Sequence, residues 1–467
     1  MNWTSLDFEK VGRELHHLAT RMFPLCRSLS GSGVRETLAI LQEQIPLTIV
    51  EVPTGTQVFD WVIPAEWNMR DAWIADEQGE RVVDFNQSNL HIVNGSVPVR
   101  RSMTWSELMP HLHTLPAHPD WIPYRTCFYK NDWGFCLSHH QFEQLQSRGE
   151  RTYEVVIDAD LTCGSLTYGE YYLPGHSNQE VLFSAHCCHP SLANDNLSGL
   201  CVSVYLASLL KSLPQRRFSY RFLFAPATLG AIAWLSENRD VLDRIQHGLV
   251  LALLGDPGHF TYKRSRSGEA FIDRYVEHVL QHADAKAVIR DFVPFGYDER
   301  QFASPGINLP MGCLMRTPNG EYPEYHTSAD NLDFIRAENL ADSLERCLQV
   351  VTIIEKDETF INVRPFGEPR LGQHGLYESL PDDEDRLLLQ QAIQWVLNLS
   401  DARHSLFDIA IRSGLEFSIV QHASELLVNC DLLTREAQGE RGDHNPQSSV
   451  ASGMVSAFEK RFMGHDK

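Results

Sequence analysis

Residues 181–186, VLFSAH, are a continuous apolar run that ends in a histidine. After a short polar loop comes NLSGLCVSVYLASLLKSL, which has the length and composition of a helix. An apolar run without alternation suits a strand buried on both faces, and such strands belong to parallel sheets covered by helices. The pattern recurs. YRFLFAP precedes TLGAIAWLSEN, HGLVLALLG precedes FIDRYVEHVLQHA, and GINLPMGCLMR precedes the long ENLADSLERCLQVVTIIEK. This predicts an α/β fold over residues 162–360, with a mostly parallel mixed sheet sandwiched by helices. Ligands in such folds sit beyond the carboxyl ends of the strands. The segment directly after VLFSAH is such a place.

At 467 residues the chain is too long for one ordinary core. Residues 1–46 read as helical and as the N-terminal part of the α/β domain, with a break at the SGSG of residues 30–33. Residues 47–161 change texture. Short β-branched and aromatic runs (TIVEVP, DWVIP, RVVDF, LHIVNG) alternate with Gly, Pro, Asn and Asp, which predicts an inserted β-rich domain. It holds six of the nine tryptophans. Residues 376–436 are helical again, with a turn at Gly414, and predict a winged helix-turn-helix domain. Residues 437–467 read as a flexible tail.

The formal net charge is -21. An acidic surface repels phosphate backbones and anionic membranes, so neither nucleic acid nor membrane is an expected partner. The winged helix carries Asp382, Asp383, Glu384, Asp385, Asp408, Glu416 and Glu425, which points to packing or dimerisation, and so to a possible homo-oligomer, rather than DNA reading. The N-terminus lacks a signal-peptide pattern, and the ten cysteines lack paired spacing. Together these predict a cytoplasmic protein with reduced thiols.

The stretch HCCHPSLANDNLSG, residues 186–199, gathers His186, His189 and Asp195. Catalytic zinc takes His and carboxylate ligands and keeps one position open. Either histidine alone is more simply read as a ring bonded to a backbone carbonyl. Further acids and imidazoles at other strand ends change that balance: Asp256 after LVLALLG, Asp298 and Glu299 in GYDERQF, and His326 in EYHTSAD. Ligands dispersed along the chain fit a catalytic site better than a local, cysteine-rich structural one. The candidate metal ligands are therefore His186, His189, Asp195, Asp256 and His326. The strand-end position favours His186 as a direct ligand. His189 either replaces a missing ligand or orients its neighbours. Cys187 and Cys188 read as small buried hydrophobes.

With those residues in hand, segment 165–355 resembles the co-catalytic zinc aminopeptidases. Their strand-end His, loop Asp, Asp after a strand and late HTxxD histidine are matched by His186, Asp195, Asp256 and His326. A bacterial family of aminopeptidase-like proteins is similar over nearly the whole chain. The similarity includes CHPSLANDNLSG, DERQF, YHTSADNLDFI, DWVIPAEW and a C-terminal winged helix. The resemblance implies a zinc-peptidase domain with an insertion near its site. The likeness to the zinc aminopeptidases also implies a Glu-Glu pair, the first Glu the general base and the second a ligand of the second metal, of which the bacterial family keeps one Glu in a PET-type triplet. Here the corresponding stretch is APATLGA, with Ala227 and Thr228 in those places. That predicts one zinc rather than two, and leaves Asp298, Glu299 or Glu237 to act as base.

Candidate substrate-binding residues are Lys263, Arg266, Arg300, Arg316 and Tyr325, since basic groups near a site can grip a carboxylate or phosphate. Salt-bridged, solvated loops are an equally good reading of the basic ones. Asp60, Glu66 and His91 fall in motif-like stretches of the insertion, with roles left open. The expected function is zinc-dependent hydrolysis of an amide in a small aminoacyl compound or short peptide. The rival reading is a catalytically impaired binding or scaffold protein that keeps the metal and dimerises.

Overall fold

The computed structural model describes residues 3, 5–374, 376 and 385–435. The expected tail at 437–467 and the acidic Asp382, Asp383 and Glu384 lie outside them. The chain forms two compact units, residues 1–352 and 353–467.

The first unit is built on an eight-stranded mixed sheet. Its order is Thr48–Pro53, Ser165–Leu173, Ser219–Ala225, Glu180–His186, Ile245–Leu251, Met311–Met315, Thr261–Lys263 and Val288–Arg290. The four central strands are parallel. Glu180–His186 and Ser219–Ala225 are buried at every position, as their unbroken apolar runs require. Their register sets His186 beside Ala225, so the histidine and the turn carrying Ala227 leave the same edge of the sheet. Glu180, buried in the adjacent strand, takes the charge of Arg221 through hydrogen bonds of 2.7 and 3.1 Å.

Helix Phe8–Met22 buries Val11, Leu15, Leu18 and Met22, one face at helical spacing, and Asp7 caps its start by accepting from the Lys10 N–H. Helix Ser32–Gln42 begins after Gly31, whose φ is +96°. A Cβ there would lie 2.2 Å from the Trp67 carbonyl oxygen, so both the backbone and the space require glycine.

The β-rich segment contains a second, antiparallel sheet of order Arg81–Asp84, Glu66–Ala75, Thr152–Thr162 and Val99–Thr104. Trp67, Ile74, Trp105, Phe135, Tyr153 and Val155 fill its core. Its boundary differs from the expected 47–161. Thr48–Pro53 pairs with Ser165–Leu173 in the main sheet. β-branched texture marks a strand but not which sheet it joins, because that depends on a partner more than 100 residues away. Glu66 and His91 are structural: Glu66 pairs with Arg35 at 2.7 Å, and His91 Nδ1 lies 2.7 Å from the Cys136 carbonyl oxygen.

The second unit joins helices Asp385–Leu399, Leu406–Ser413 and Phe417–Asn429 to a three-stranded antiparallel sheet. Ser405 and Asp408 form a capping box, and Gly414, in the left-handed region at φ +69°, ends one helix and turns the chain into the next. This is the winged helix. It starts earlier than expected, since Thr359–Asn362 is its central strand. No helix among the described residues is long and apolar enough to cross a membrane.

Candidate metal centre

The centre forms where strand Glu180–His186 ends and the loop before helix Gly199–Ser212 turns back over it. Asp195 is fully buried. Its Oδ1 lies 2.8 Å from His186 Nε2, and its Oδ2 lies 3.0 Å from His326 Nε2 and 3.8 Å from His189 Nε2. Ligand atoms of His186, His189 and Asp195 fall within 4.8 Å of one another. Four of the five sequence-expected metal ligands therefore meet, with three imidazoles around the Asp195 carboxylate.

Electrostatics suits a cation here. Burial pushes the His189 imidazole down to about 3, against the pull of Asp195, so it is a neutral nitrogen donor at pH 7. Burial opposes the Asp195 charge, but its close contacts with His189, His186 and His326, two of them hydrogen bonds, outweigh it and hold the carboxyl well below its usual range. Imidazoles around a carboxylate are the donor types zinc takes.

Neighbouring residues aim these groups. Asp330 accepts from the backbone N–H groups of Asn194 at 2.6 Å and Asp195 at 3.0 Å, joining the HTSAD loop to the ANDN loop. Asn196 accepts from Gly199 and Leu253 N–H and donates to the Leu251 carbonyl. Arg27 Nε donates to the His189 carbonyl at 2.7 Å. The Tyr297 ring stacks on His186 and Tyr325 on His326, with centroids 5.0 and 4.0 Å apart. From the insertion, Tyr124 donates its backbone N–H to the His326 carbonyl at 2.8 Å and sets its ring edge-on to that imidazole. His326 holds φ +57°, a conformation rare outside glycine, at this crowded junction. Asp330, Asn194 and Asn196 were legible as parts of the HTSAD and ANDN motifs. Nothing local in the sequence marked Arg27, Tyr124 or Tyr297.

Gly199 closes the loop against the sheet. A Cβ there would lie 2.3 Å from the Leu251 carbonyl oxygen. Gly199→Ala is expected to cost about 1–3 kcal/mol of stability, read from a urea transition, because backbone must shift to admit it.

Other candidates fall elsewhere. Asp256 is buried, and it accepts from Thr317 Oγ1 and N–H, Gly258 N–H and Asn194 Nδ2. Four donors make it a brace for Asn194, with no bond to the imidazoles. Lys263 is buried in an ion pair with Glu299 and donates to the Phe295 carbonyl at 2.7 Å. Arg316 is spent on Gly258 and Asp342 and stacks over Phe260. Position near a strand end does not give side-chain direction, and these side chains face partners inside the fold. Arg266 donates to Asn308 at 3.1 Å on the surface. The Arg300 Nε is buried without a partner.

Asp298 is fully buried, and neither carboxylate oxygen has a hydrogen-bond partner. Burial pushes it up to about 7, against the attraction of His186. A carboxyl that holds its proton more tightly when folded contributes stability that is intact below the usual value of 3.8 and is lost as pH rises through 7. In chelated protein, Asp298→Asn should therefore stabilise the fold, by about 2–4 kcal/mol above pH 7, fading to nothing below about pH 4. Melting curves across that range check it.

Ala227 follows strand Ser219–Ala225, and its N–H points to the Cys188 thiol, 3.3 Å away. No carboxylate occupies this turn; the neighbouring Thr228 hydroxyl lies 3.4 Å from the Gln301 amide.

Comparison with known proteins agrees with this architecture. A Clostridium acetobutylicum protein named "Putative polysaccharide biosynthesis protein with aminopeptidase-like domain" is 47% identical over 424 residues, covering 91% of this chain and 96% of the relative. A crystal structure described as a putative peptidase from C. acetobutylicum superposes with a TM-score of 0.86 at 46% identity, covering 92% of this chain and 98% of that one. BSAP, a zinc aminopeptidase from Bacillus subtilis, superposes with a TM-score of 0.53 at 14% identity, covering 74% of this chain and 94% of that one. At that identity the likeness shows the fold alone, which is aminopeptidase-like. A winged helix-turn-helix model matches residues 358–435. The model described as "Domain of unknown function (DUF4910)" matches residues 16–357, and the chain belongs to that family.

Proposed function

We propose that the protein is a zinc-dependent, aminopeptidase-like hydrolase of an amide bond in a small aminoacyl compound or short peptide. The observation that carries this reading is the convergence of His186, His189 and His326 on the single buried carboxylate of Asp195. These four residues would hold one ion. Zinc, when bound, supplies Lewis-acid polarisation of a carbonyl and makes water more acidic. Asp298 holds or moves the proton. It is buried, unpartnered and poised near neutrality, whereas Glu299 is committed to Lys263. Tyr325, on the His326 ring, and the Arg300 Nε are the substrate contacts this geometry supports. The relative's name supports a biosynthetic or modifying role over protein turnover. The ten free cysteines support a reducing, cytoplasmic setting.

A second reading keeps the metal but not the chemistry. Ala227 and Thr228 favour it, because no carboxylate stands where the resemblance implies a base. On this reading the protein binds its ligand and self-associates through the winged helix.

Elemental analysis of protein purified without chelator, paired with amine release from a panel of aminoacyl amides, tests both. About one zinc per chain with turnover supports the hydrolase. Zinc without turnover supports the binding protein. A chain that takes up no zinc from buffer ends both readings.

A further inference from the structure

The inserted segment holds a cavity of ≈ 320 Å³ lined by Arg125, Lys130, His113, Thr126, Asp132 and Trp133, with buried Val93 and Cys127 completing the wall. Small-molecule sites span about 300–1,000 Å³, so this one suits a small ligand. Its backbone is pinned. Buried Asn94 donates its N–H to the Arg125 carbonyl at 2.8 Å and accepts from the Cys127 N–H at 2.9 Å. The Lys130 N–H closes a turn onto the Cys127 carbonyl at 2.9 Å. A site held in advance loses less freedom on binding.

The lining is cationic in a chain of net charge -21. Two permanent positive charges share the wall with one carboxylate. Arg70, Arg81, Arg148 and Arg151 of the same insertion pair with acids. Among the described residues, Arg125 and Lys130 form no ion pair and no side-chain hydrogen bond, although Asp132 is beside them. The Asp132 Oδ1 instead accepts the Trp133 N–H at 2.8 Å. Like charges gathered on one concave wall repel each other, and an anion between them removes that cost. The Thr126 hydroxyl and the His113 ring also make no hydrogen bond among the described residues. Burial, helped by the Arg125 charge, lowers the His113 pKa, so its ring is a neutral donor at pH 7. A carboxylate, with two coplanar oxygens, is satisfied by one guanidinium fork. Guanidinium, ammonium, hydroxyl and imidazole together match the three terminal oxygens of a phosphate ester. Trp133 is already stacked on His111 at 3.7 Å, so it is wall and not contact.

We propose that this cavity binds a small phosphate monoester, with Arg125 and Lys130 sharing its charge and Thr126 and His113 donating to its oxygens. The site shares no residue with the metal centre, and it stands whether or not the protein hydrolyses anything.

The test uses the full chain after chelation, so that no metal takes the anion. Glycerol 3-phosphate, inorganic phosphate and acetate are titrated by calorimetry at constant ionic strength. Saturable binding of at least one of the two phosphates is expected, with a Kd of about 0.1–10 mM. Arg125→Gln and Lys130→Gln should each weaken it about tenfold or more. Both side chains are exposed, so both variants keep the fold. Lys211→Gln, exposed on helix Gly199–Ser212, should leave binding unchanged. No saturable binding of either phosphate would overturn the proposal. So would binding indifferent to both cavity variants, or acetate binding as tightly as the phosphates.

Discussion

Asp195→Asn is expected to lower bound zinc from about one ion per chain to near zero, with the fold retained. The substitution keeps the side chain's size and removes its charge. Asp195 is the one carboxylate on which His186, His189 and His326 all converge, so its loss takes away the site's only shared anion. The fold should survive because the loop is held independently, by Asp330 on the backbone and by Asn196 on the next strand. Elemental analysis after equilibration with zinc, beside a near-ultraviolet circular dichroism spectrum, separates metal loss from unfolding. A single-ligand variant, His189→Ala, grades the site further. A drop of about 10–100-fold in affinity would mark His189 as orienting its neighbours, and a complete loss would mark it as a ligand. Full zinc content in Asp195→Asn would mean that the ion sits elsewhere.

Ala227→Glu is expected to raise amide hydrolysis by about 10²–10⁴-fold, or about 3–5 kcal/mol of barrier. Residue 227 lies on the turn after Ser219–Ala225, next to the strand that ends in His186. Its N–H bond to Cys188, the residue before His189, shows how near the turn runs to the centre. Alanine there cannot accept a proton, whereas a glutamate can. The result is informative in either direction. A rise in rate means a metal site that lacks its base. Turnover already present and unmoved by the glutamate, but lost in Asp298→Asn, would assign the proton transfer to Asp298. No turnover in any variant that still binds zinc would leave the binding reading.

Legibility followed the range of the interactions. The central strands announced themselves because residues buried on both faces must be apolar throughout, and the winged helix because its helical runs and Gly414 turn are local signals. The assignment of Thr48–Pro53 to the main sheet and Thr359–Asn362 to the winged helix was not legible, since each depends on distant pairing. Asp256, Lys263 and Arg316 show the same limit at the side-chain level. Each has the right chemistry near the right strand, and each is satisfied by partners inside the fold.

By itself the sequence determined the fold class and the donor types, through apolar runs ending in His186 and through the ANDNLSG and HTSAD motifs. Tertiary structure alone decided which donors meet. His326 reaches Asp195 across 131 residues because the sheet brings two loops to one edge. Asp298 is left unpartnered because burial removes water and no neighbour replaces it. A sequence records which groups can donate or accept, but their distances are set by packing between segments far apart in the chain.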